Sequence, residues 1–164
     1  MNKYLRVFLL LIGFVGTGIM LLNGCSPKEE AAKEYSDSAT GDIREETKSV
    51  KVLPDFLTNQ SEDLGRIYKA VASHKEVVEK MPCFCGCGES VGHKSNYDCF
   101  VYSDPSGEKI VWDDHATKCG VCLETAVEAI NQFENGKSIK TIRKEIEAKY
   151  EEGYAEPTPT PSVS

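Results

Sequence analysis

The sequence lacks several of the motifs by which enzymes and nucleotide-binding proteins are usually identified. It contains no glycine-rich phosphate-binding loop and no H-E-x-x-H signature, and we predict neither a hydrolase nor a nucleotide-binding site. Positive charge is also scarce, because 19 Lys and Arg stand against 26 Asp and Glu, for a formal net charge of -7 at pH 7. This acidic excess argues against nucleic acid and anionic lipid headgroups as partners of the folded part. The 7 cysteines are the residues left to carry chemistry.

The chain also lacks an apolar run of the roughly 20 residues that a membrane-spanning helix needs. Its most apolar segment, Val7 to Leu22, follows Lys3 and Arg6 and is typical of a secretory signal peptide. The segment ends in Leu22, Asn23, Gly24 and Cys25, which resembles the lipobox of bacterial lipoproteins. An uncleaved N-terminal anchor helix is the alternative. We expect residues 1–24 to be a signal peptide, Cys25 to carry the lipid, and the rest of the chain to be extracytoplasmic and anchored to the bacterial cell membrane.

Two polar segments flank the region that we expect to fold. Residues 25–53 are charged and poor in aromatic residues, and we predict that they form a disordered tether because they cannot bury enough apolar surface. Residues 151–164 carry alternating prolines and no apolar period, which predicts a disordered tail. The remaining residues, 54–150, have a suitable length for one domain.

The apolar periodicity of residues 54–150 predicts a small α+β domain that is mainly helical. The first of about three helices is capped by Ser61 and continues until Pro82 forces the chain out of helical geometry. A turn sequence, DPSGE, separates two short apolar segments and predicts a β-hairpin. A second helix is predicted from about Thr117 to Asn135, and Ser138 is placed to cap a third. A Cys- and Gly-rich loop follows the first helix.

The cysteines form two clusters that are suited to a soft metal ion. Without Cys25, six remain, and three of these alternate within the stretch CFCGC. The second cluster, HATKCGVC, spaces an imidazole and two thiols at i, i+4 and i+7, and its C-x-x-C pair can present two thiolates to one metal. We therefore predict binding of Zn²⁺ or Cu⁺, with the candidate ligands Cys83, Cys85, Cys87, Cys99, Cys119, Cys122, His93 and His115. Asp113 and Asp114, beside Trp112, indicate a solvated turn before a helix, whereas Trp112 itself is predicted in the core.

Two other uses of the cysteines stay open. Export favours disulfides, and six thiols allow three bridges, which would make the domain a stapled module that binds an envelope partner. The Cys119/Cys122 pair also has the spacing of a thiol redox site, although no βαβ pattern surrounds it and a thioredoxin fold is not predicted. Leu123 follows Cys122 where a c-type haem site needs histidine, so no haem is predicted. No catalytic residue is assigned.

The cysteine pattern resembles that of a known family. The segments PCFCGC, GHKSNYDCF, WDDHATKCGVC and GKSIKTIRKEIEAKY are similar to those of the bacterial exported proteins and lipoproteins named for their PCYCGC motif. The similarity covers about residues 61–152, and Phe84 replaces the tyrosine of the motif name. The resemblance implies a lipoprotein of unknown function, with no activity, substrate or catalytic residue to carry over.

Overall fold

The computed structural model describes residues 33–36, 40–105 and 109–163, all within one compact unit that extends from Ala31 to Ser164. The predicted signal peptide and Cys25 lie outside the described residues. The fold is α+β, as predicted. Within the described part of the chain, no helix combines the length and the hydropathy that a bilayer crossing would require.

A small antiparallel sheet forms one side of the domain. Its strands are β1 (Lys33–Ser36), β2 (Ile43–Thr47), β3 (Val101–Ser103) and β4 (Ile110–Asp113), and their order across the sheet is β1-β2-β4-β3. Strands β3 and β4 form the predicted hairpin, with Val101 opposite Trp112.

Strand β2 lies in the segment that we predicted to be a disordered tether, and for this part of the segment the prediction is wrong. Arg44 pairs with Asp113 and Thr47 with Ile110, so β2 supplies the second neighbour of β4. Glu45 of β2 is buried, and its carboxylate accepts hydrogen bonds from the backbone N–H groups of Asp55 and Phe56, at 2.7 and 3.3 Å. These long-range partners stabilise a strand that is too polar to be recognised from its own composition.

The helices begin where the caps predict but are shorter than the periodicity suggests. The Ser61 side chain accepts a hydrogen bond from the Leu64 N–H and caps α1 (Glu62–Ser73). His74 has a non-helical backbone (φ -125°, ψ 38°) and separates α1 from the short α2 (Lys75–Val78), where one continuous helix was expected. After the loop come α3 (Gly88–Val91), α4 (Gly120–Glu134) and α5 (Ile139–Lys149), the last capped by Ser138 as predicted.

The core lies between the helices and the sheet. Trp112 is fully buried, as predicted, and Tyr68 of α1 packs against it and against Phe100. The Tyr68 hydroxyl donates a hydrogen bond to the Asp113 carbonyl at 2.8 Å, which ties α1 to the end of β4. From the other helices, the fully or almost fully buried apolar side chains are Val77, Val78, Cys122, Ala126, Ala129, Ile130, Ile142 and Ile146.

The C-terminal segment differs from the predicted disordered tail. From Tyr150 to Val163, the last residue described, it has no helix or strand, but Thr158 and Thr160 are buried. The Thr158 N–H donates to the Cys83 carbonyl at 3.0 Å, and the Thr158 hydroxyl accepts from the Cys83 N–H at 2.9 Å. Arg143 of α5 donates to the carbonyls of Thr160 and Pro161. The tail is therefore a strap across the cysteine loop, held by tertiary hydrogen bonds that composition does not reveal.

Substitution of Glu45 tests whether β2 belongs to the folded domain. We expect Glu45→Ala to lower the free energy of unfolding by about 1–3 kcal/mol, because the partly buried hydrogen bonds from the Asp55 and Phe56 N–H groups lose their acceptor. Glu46→Ala is the matched control, since the Glu46 side chain forms a surface ion pair with Lys109, and such a pair is worth less than about 1 kcal/mol. Chemical denaturation of both variants gives the comparison. Equal, negligible effects would mean that residues 43–47 are a tether after all.

Candidate metal centre

Four thiols from three separate segments converge in the core. Cys83 and Cys85 come from the loop after Pro82, Cys99 from a 3₁₀ turn (Tyr97–Cys99), and Cys122 from the first turn of α4. Their sulfur atoms all lie within 4.8 Å of one another, and the Sγ atoms of Cys83 and Cys122 are 3.5 Å apart. Cys83, Cys99 and Cys122 are buried, while Cys85 is half-buried. All six described cysteines have free thiols.

The backbone around these thiols is held by hydrogen bonds between the segments. Asn96 is fully buried, and its side-chain N–H donates to the Cys122 carbonyl at 3.1 Å, while its backbone N–H donates to the Met81 carbonyl at 2.8 Å. Asn96 thereby connects Met81, just before the cysteine loop, to the first turn of α4. The Cys83 backbone is held in turn by Thr158. These bonds keep the sulfur atoms together without a covalent link.

The thiols perturb one another because they share a small buried space. Hydrogen bonding from Cys122, and then from Cys83 and Cys99, holds the pKa of the Cys85 thiol far below its ordinary value. The pKa of Cys122 is raised far above its ordinary value, chiefly by its contact with Cys83, and that of Cys99 is raised chiefly by Cys122. Hydrogen bonding from Cys122 also lowers the pKa of Cys83. The cluster therefore favours the thiolate form in the loop that carries Cys83 and Cys85 and the protonated form at Cys99 and Cys122.

The two histidines occupy different positions around the cluster. Nδ1 of His93 lies 3.5 Å from the Cys99 sulfur, so His93 can donate a hydrogen bond to a Cys99 thiolate. Burial lowers the pKa of His93, with a further contribution from the charge of His115. The two rings meet edge to face with their centroids 4.8 Å apart. The contact between Cys85 and His115 raises the pKa of His115 to about 9 against the opposing effect of burial.

Cys87 and His115 form a second group with Cys85, and here too the candidate ligand atoms all lie within 4.8 Å of one another. Cys87 is half-buried, and its backbone N–H donates to the Cys85 sulfur at 3.4 Å. Burial and the nearby charge of Cys85 raise the pKa of Cys87 to about 11. Among the described residues, Cys119 and His93 belong to neither thiol group.

The second sequence cluster therefore does not act as the single helical stripe considered above. His115 lies in a 3₁₀ turn (His115–Lys118), Cys119 has an extended backbone (φ -136°, ψ 109°), and the helix begins at Gly120. His115 and Cys122 reach the thiol groups, whereas Cys119 only precedes the helix as its N-cap residue. The prediction that Asp113 and Asp114 are solvated is wrong, since they are 0% and 6% exposed.

Asp42 and Thr158 are site residues that sequence reasoning missed. Asp42 lies 3.2 Å from His115 Nδ1 but occurs in a segment without apolar period. Thr158 belongs to a Pro/Thr stretch typical of disorder. Neither has a local signal, because each acquires its partner only through a contact that spans more than 70 residues.

Residues 88–92 also have G-x-S-x-G spacing, the pattern of a nucleophile elbow, which the sequence reading overlooked. Ser90, however, lies on the four-residue α3 after the cysteine loop, whereas an elbow joins a strand to a helix. Its exposed hydroxyl donates to the Cys87 carbonyl at 3.1 Å. The setting does not activate this serine.

The strap can be displaced by a single methyl group. A Cβ at Gly88 would lie 2.7 Å from Thr158 Cγ2, and we expect Gly88→Ala to lower the free energy of unfolding by about 1–3 kcal/mol through overpacking. Thr158→Ser removes that methyl and keeps the hydroxyl, so the double variant should recover most of the loss. Gly120→Ala is the control, because its Cβ would meet nothing within 4 Å. Thermal unfolding and the alkylation rate of Cys83 measure the effect, and an unchanged Gly88→Ala variant would contradict it.

Comparison with protein families identifies the chain. Residues 14–163 match the family described as a protein of unknown function with PCYCGC motif. Comparison with curated proteins and with solved structures finds no match. The match covers nearly the whole chain and includes both cysteine clusters. The chain belongs to the PCYCGC-motif family, whose function is unknown.

Proposed function

We propose that the protein is a lipid-anchored extracytoplasmic protein that binds a soft metal ion, Zn²⁺ or Cu⁺, through Cys83, Cys85, Cys99 and Cys122. The proposal is carried by one observation, the mutual proximity of these four sulfur atoms within 4.8 Å. Function would then be the handling or sequestration of the ion by ligand exchange at the cell surface.

The dimensions of the four-thiol group suit tetrahedral coordination. With Zn–S bonds of about 2.3 Å, the sulfur atoms of a tetrahedral site lie about 3.8 Å apart. The Cys83–Cys122 separation of 3.5 Å is close to this value, and the 4.8 Å limit for the group requires only a small contraction. An all-sulfur ligand set favours Zn²⁺ and Cu⁺ over Ca²⁺ and Mg²⁺.

Burial of the thiols favours binding of a cation. Several thiolates cannot share a buried site without a compensating charge, because ionised groups are costly to desolvate. A bound cation replaces the thiol protons, which pass to solvent, so the affinity for metal should fall at low pH. His93 is placed to stabilise the Cys99 thiolate by donating a hydrogen bond to its sulfur.

Cys85 provides the route for exchange. It is half-buried, whereas the other three thiols of the group are buried. A purely structural zinc site is normally closed on all sides by its four ligands. An accessible ligand supports transfer of the ion to and from an acceptor, and this favours handling or sequestration over a purely structural role.

The lipid anchor is supported by the lipobox-like segment before Cys25. We expect Cys25→Ala to abolish incorporation of a labelled fatty acid, because the thiol that receives the lipid is missing. The lipid-modified form of the protein should then be absent from the membrane fraction. Metabolic labelling and membrane fractionation of the full chain measure both. Continued labelling of the variant would contradict the assignment.

The C-x-x-C pair gives a matched test of the metal site. Full-length protein purified in detergent without chelator should retain metal in native mass spectrometry and lose it on denaturation. We expect Cys122→Ser to remove a metal ligand and so to lower the affinity for Zn²⁺ more than 100-fold. Loss of a residue that only hydrogen-bonds to a ligand typically costs about 10–100-fold. Cys119→Ser should bind metal as the wild type does, because Cys119 is outside both thiol groups.

The disulfide and redox alternatives predict different results, the first in the same mass spectra and the second in an alkylation assay. A metal-free protein that is lighter by about 2 Da per disulfide would support a stapled module. Fast, selective alkylation of one thiol of the Cys119/Cys122 pair would support a redox site. Equal loss of metal from both variants would show that the C-x-x-C pair acts as a unit and would contradict the four-thiol assignment.

A further inference from the structure

Cys85 belongs to two groups of candidate ligands at once. One is the four-thiol group described above, and the other joins Cys85 to Cys87 and His115. The second group is less buried, since both of its thiols are half-buried. A thiolate has more than one lone pair and can bridge two metal ions, so the shared sulfur allows both groups to be occupied together.

One ring nitrogen of His115 is hydrogen-bonded, and the other is placed next to the thiols of Cys85 and Cys87. Its Nδ1 lies 3.2 Å from a carboxylate oxygen of Asp42, which leaves Nε2 as the nitrogen available to a metal. This Nε2 is buried and has no hydrogen-bond partner among the described residues, and the side chain as a whole is only 10% exposed. A buried nitrogen without a partner is costly. A carboxylate that orients the other ring nitrogen is the usual arrangement around a metal-bound histidine.

The nearby carboxylates position His115 and are not ligands themselves. One oxygen of Asp42 faces His115, and the other accepts a hydrogen bond from Lys118 at 3.1 Å. Asp113 accepts from the His115 backbone N–H and from Arg44, each at 2.9 Å. All four carboxylate oxygens therefore already have a partner, although Asp42, Asp113 and His115 also lie close enough to form a group.

We propose that Cys85, Cys87 and His115 bind a second soft metal ion, with the Cys85 thiolate bridging it to the ion in the four-thiol site. This inference rests on the proposed function, because the bridge requires that the inner site be occupied. The outer ion has two sulfur ligands and one nitrogen ligand, which leaves a four-coordinate ion one position for an exchangeable ligand. The proton of the Cys87 thiol is released to solvent as the ion binds. The outer site is then the position through which metal enters and leaves.

Zn²⁺ titration of the full chain, followed by native mass spectrometry and chelator competition, tests the second site. The wild type and Cys119→Ser should bind two ions, of which one is more easily removed. Cys87→Ser should bind one ion with the affinity of the tighter wild-type site, and retention of that ion shows that the variant is folded. Asp42→Asn should weaken only the second ion, by about 10–100-fold, since it acts through the orientation of His115.

The outcomes separate this inference from the function on which it rests. A wild type that binds one ion, with Cys87→Ser unchanged, overturns the second site and leaves the four-thiol site intact. Two ions retained by Cys87→Ser, or both ions lost from it, also overturn the bridged arrangement. A wild type that binds no ion overturns both proposals.

Discussion

The arrangement depends on bringing four thiols from three segments into one small buried space. Sulfur atoms within 4.8 Å of one another place the cysteine loop, the 3₁₀ turn that ends at Cys99 and the start of α4 in fixed relation. The hydrogen bonds of Asn96 and Thr158 stabilise this relation in the absence of metal. Metal binding then costs little reorganisation, because ligands that are already oriented lose little conformational entropy.

The pKa values of the clustered thiols explain how a buried site can still ionise and bind a cation. The pKa values of the Cys85 and Cys83 thiols are lowered, chiefly by hydrogen bonding from Cys122, whereas those of Cys122 and Cys99 are raised. A cation would replace the thiol protons and would relieve the repulsion that prevents further ionisation. Cys85 joins the inner thiols to the more accessible Cys87 and His115, so the most ionisable sulfur also lies on the path between the core and solvent.

Much of the helical part of the fold could be predicted because its signals are local. Ser61 and Ser138 cap helices as expected, and β3 and β4 pair as the predicted antiparallel hairpin strands. Strand β2 and the strap could not be predicted, since Glu45 and Thr158 gain their stability from partners distant in the sequence. The helix break at His74 could not be predicted from periodicity either, because the apolar spacing continues across it into α2.

For the candidate site, too, local sequence patterns identified the residues but not which of them lie together. The sequence identified the cysteines of the four-thiol group as potential ligands but grouped Cys119 with them through its C-x-x-C spacing. The extended backbone at Cys119 removes it from the group, and this depends on where α4 begins. Phe84 stands where the motif name has tyrosine, and its buried ring stacks on Tyr150 with the centroids 5.2 Å apart.

X-ray absorption at the zinc edge, on full-length protein loaded with one equivalent of Zn²⁺, identifies the ligand atoms of the inner ion. If Cys83, Cys85, Cys99 and Cys122 bind the ion, we expect four sulfur atoms at about 2.3 Å and no nitrogen or oxygen ligand. A shell dominated by nitrogen or oxygen at about 2.0–2.1 Å would contradict the four-thiol site.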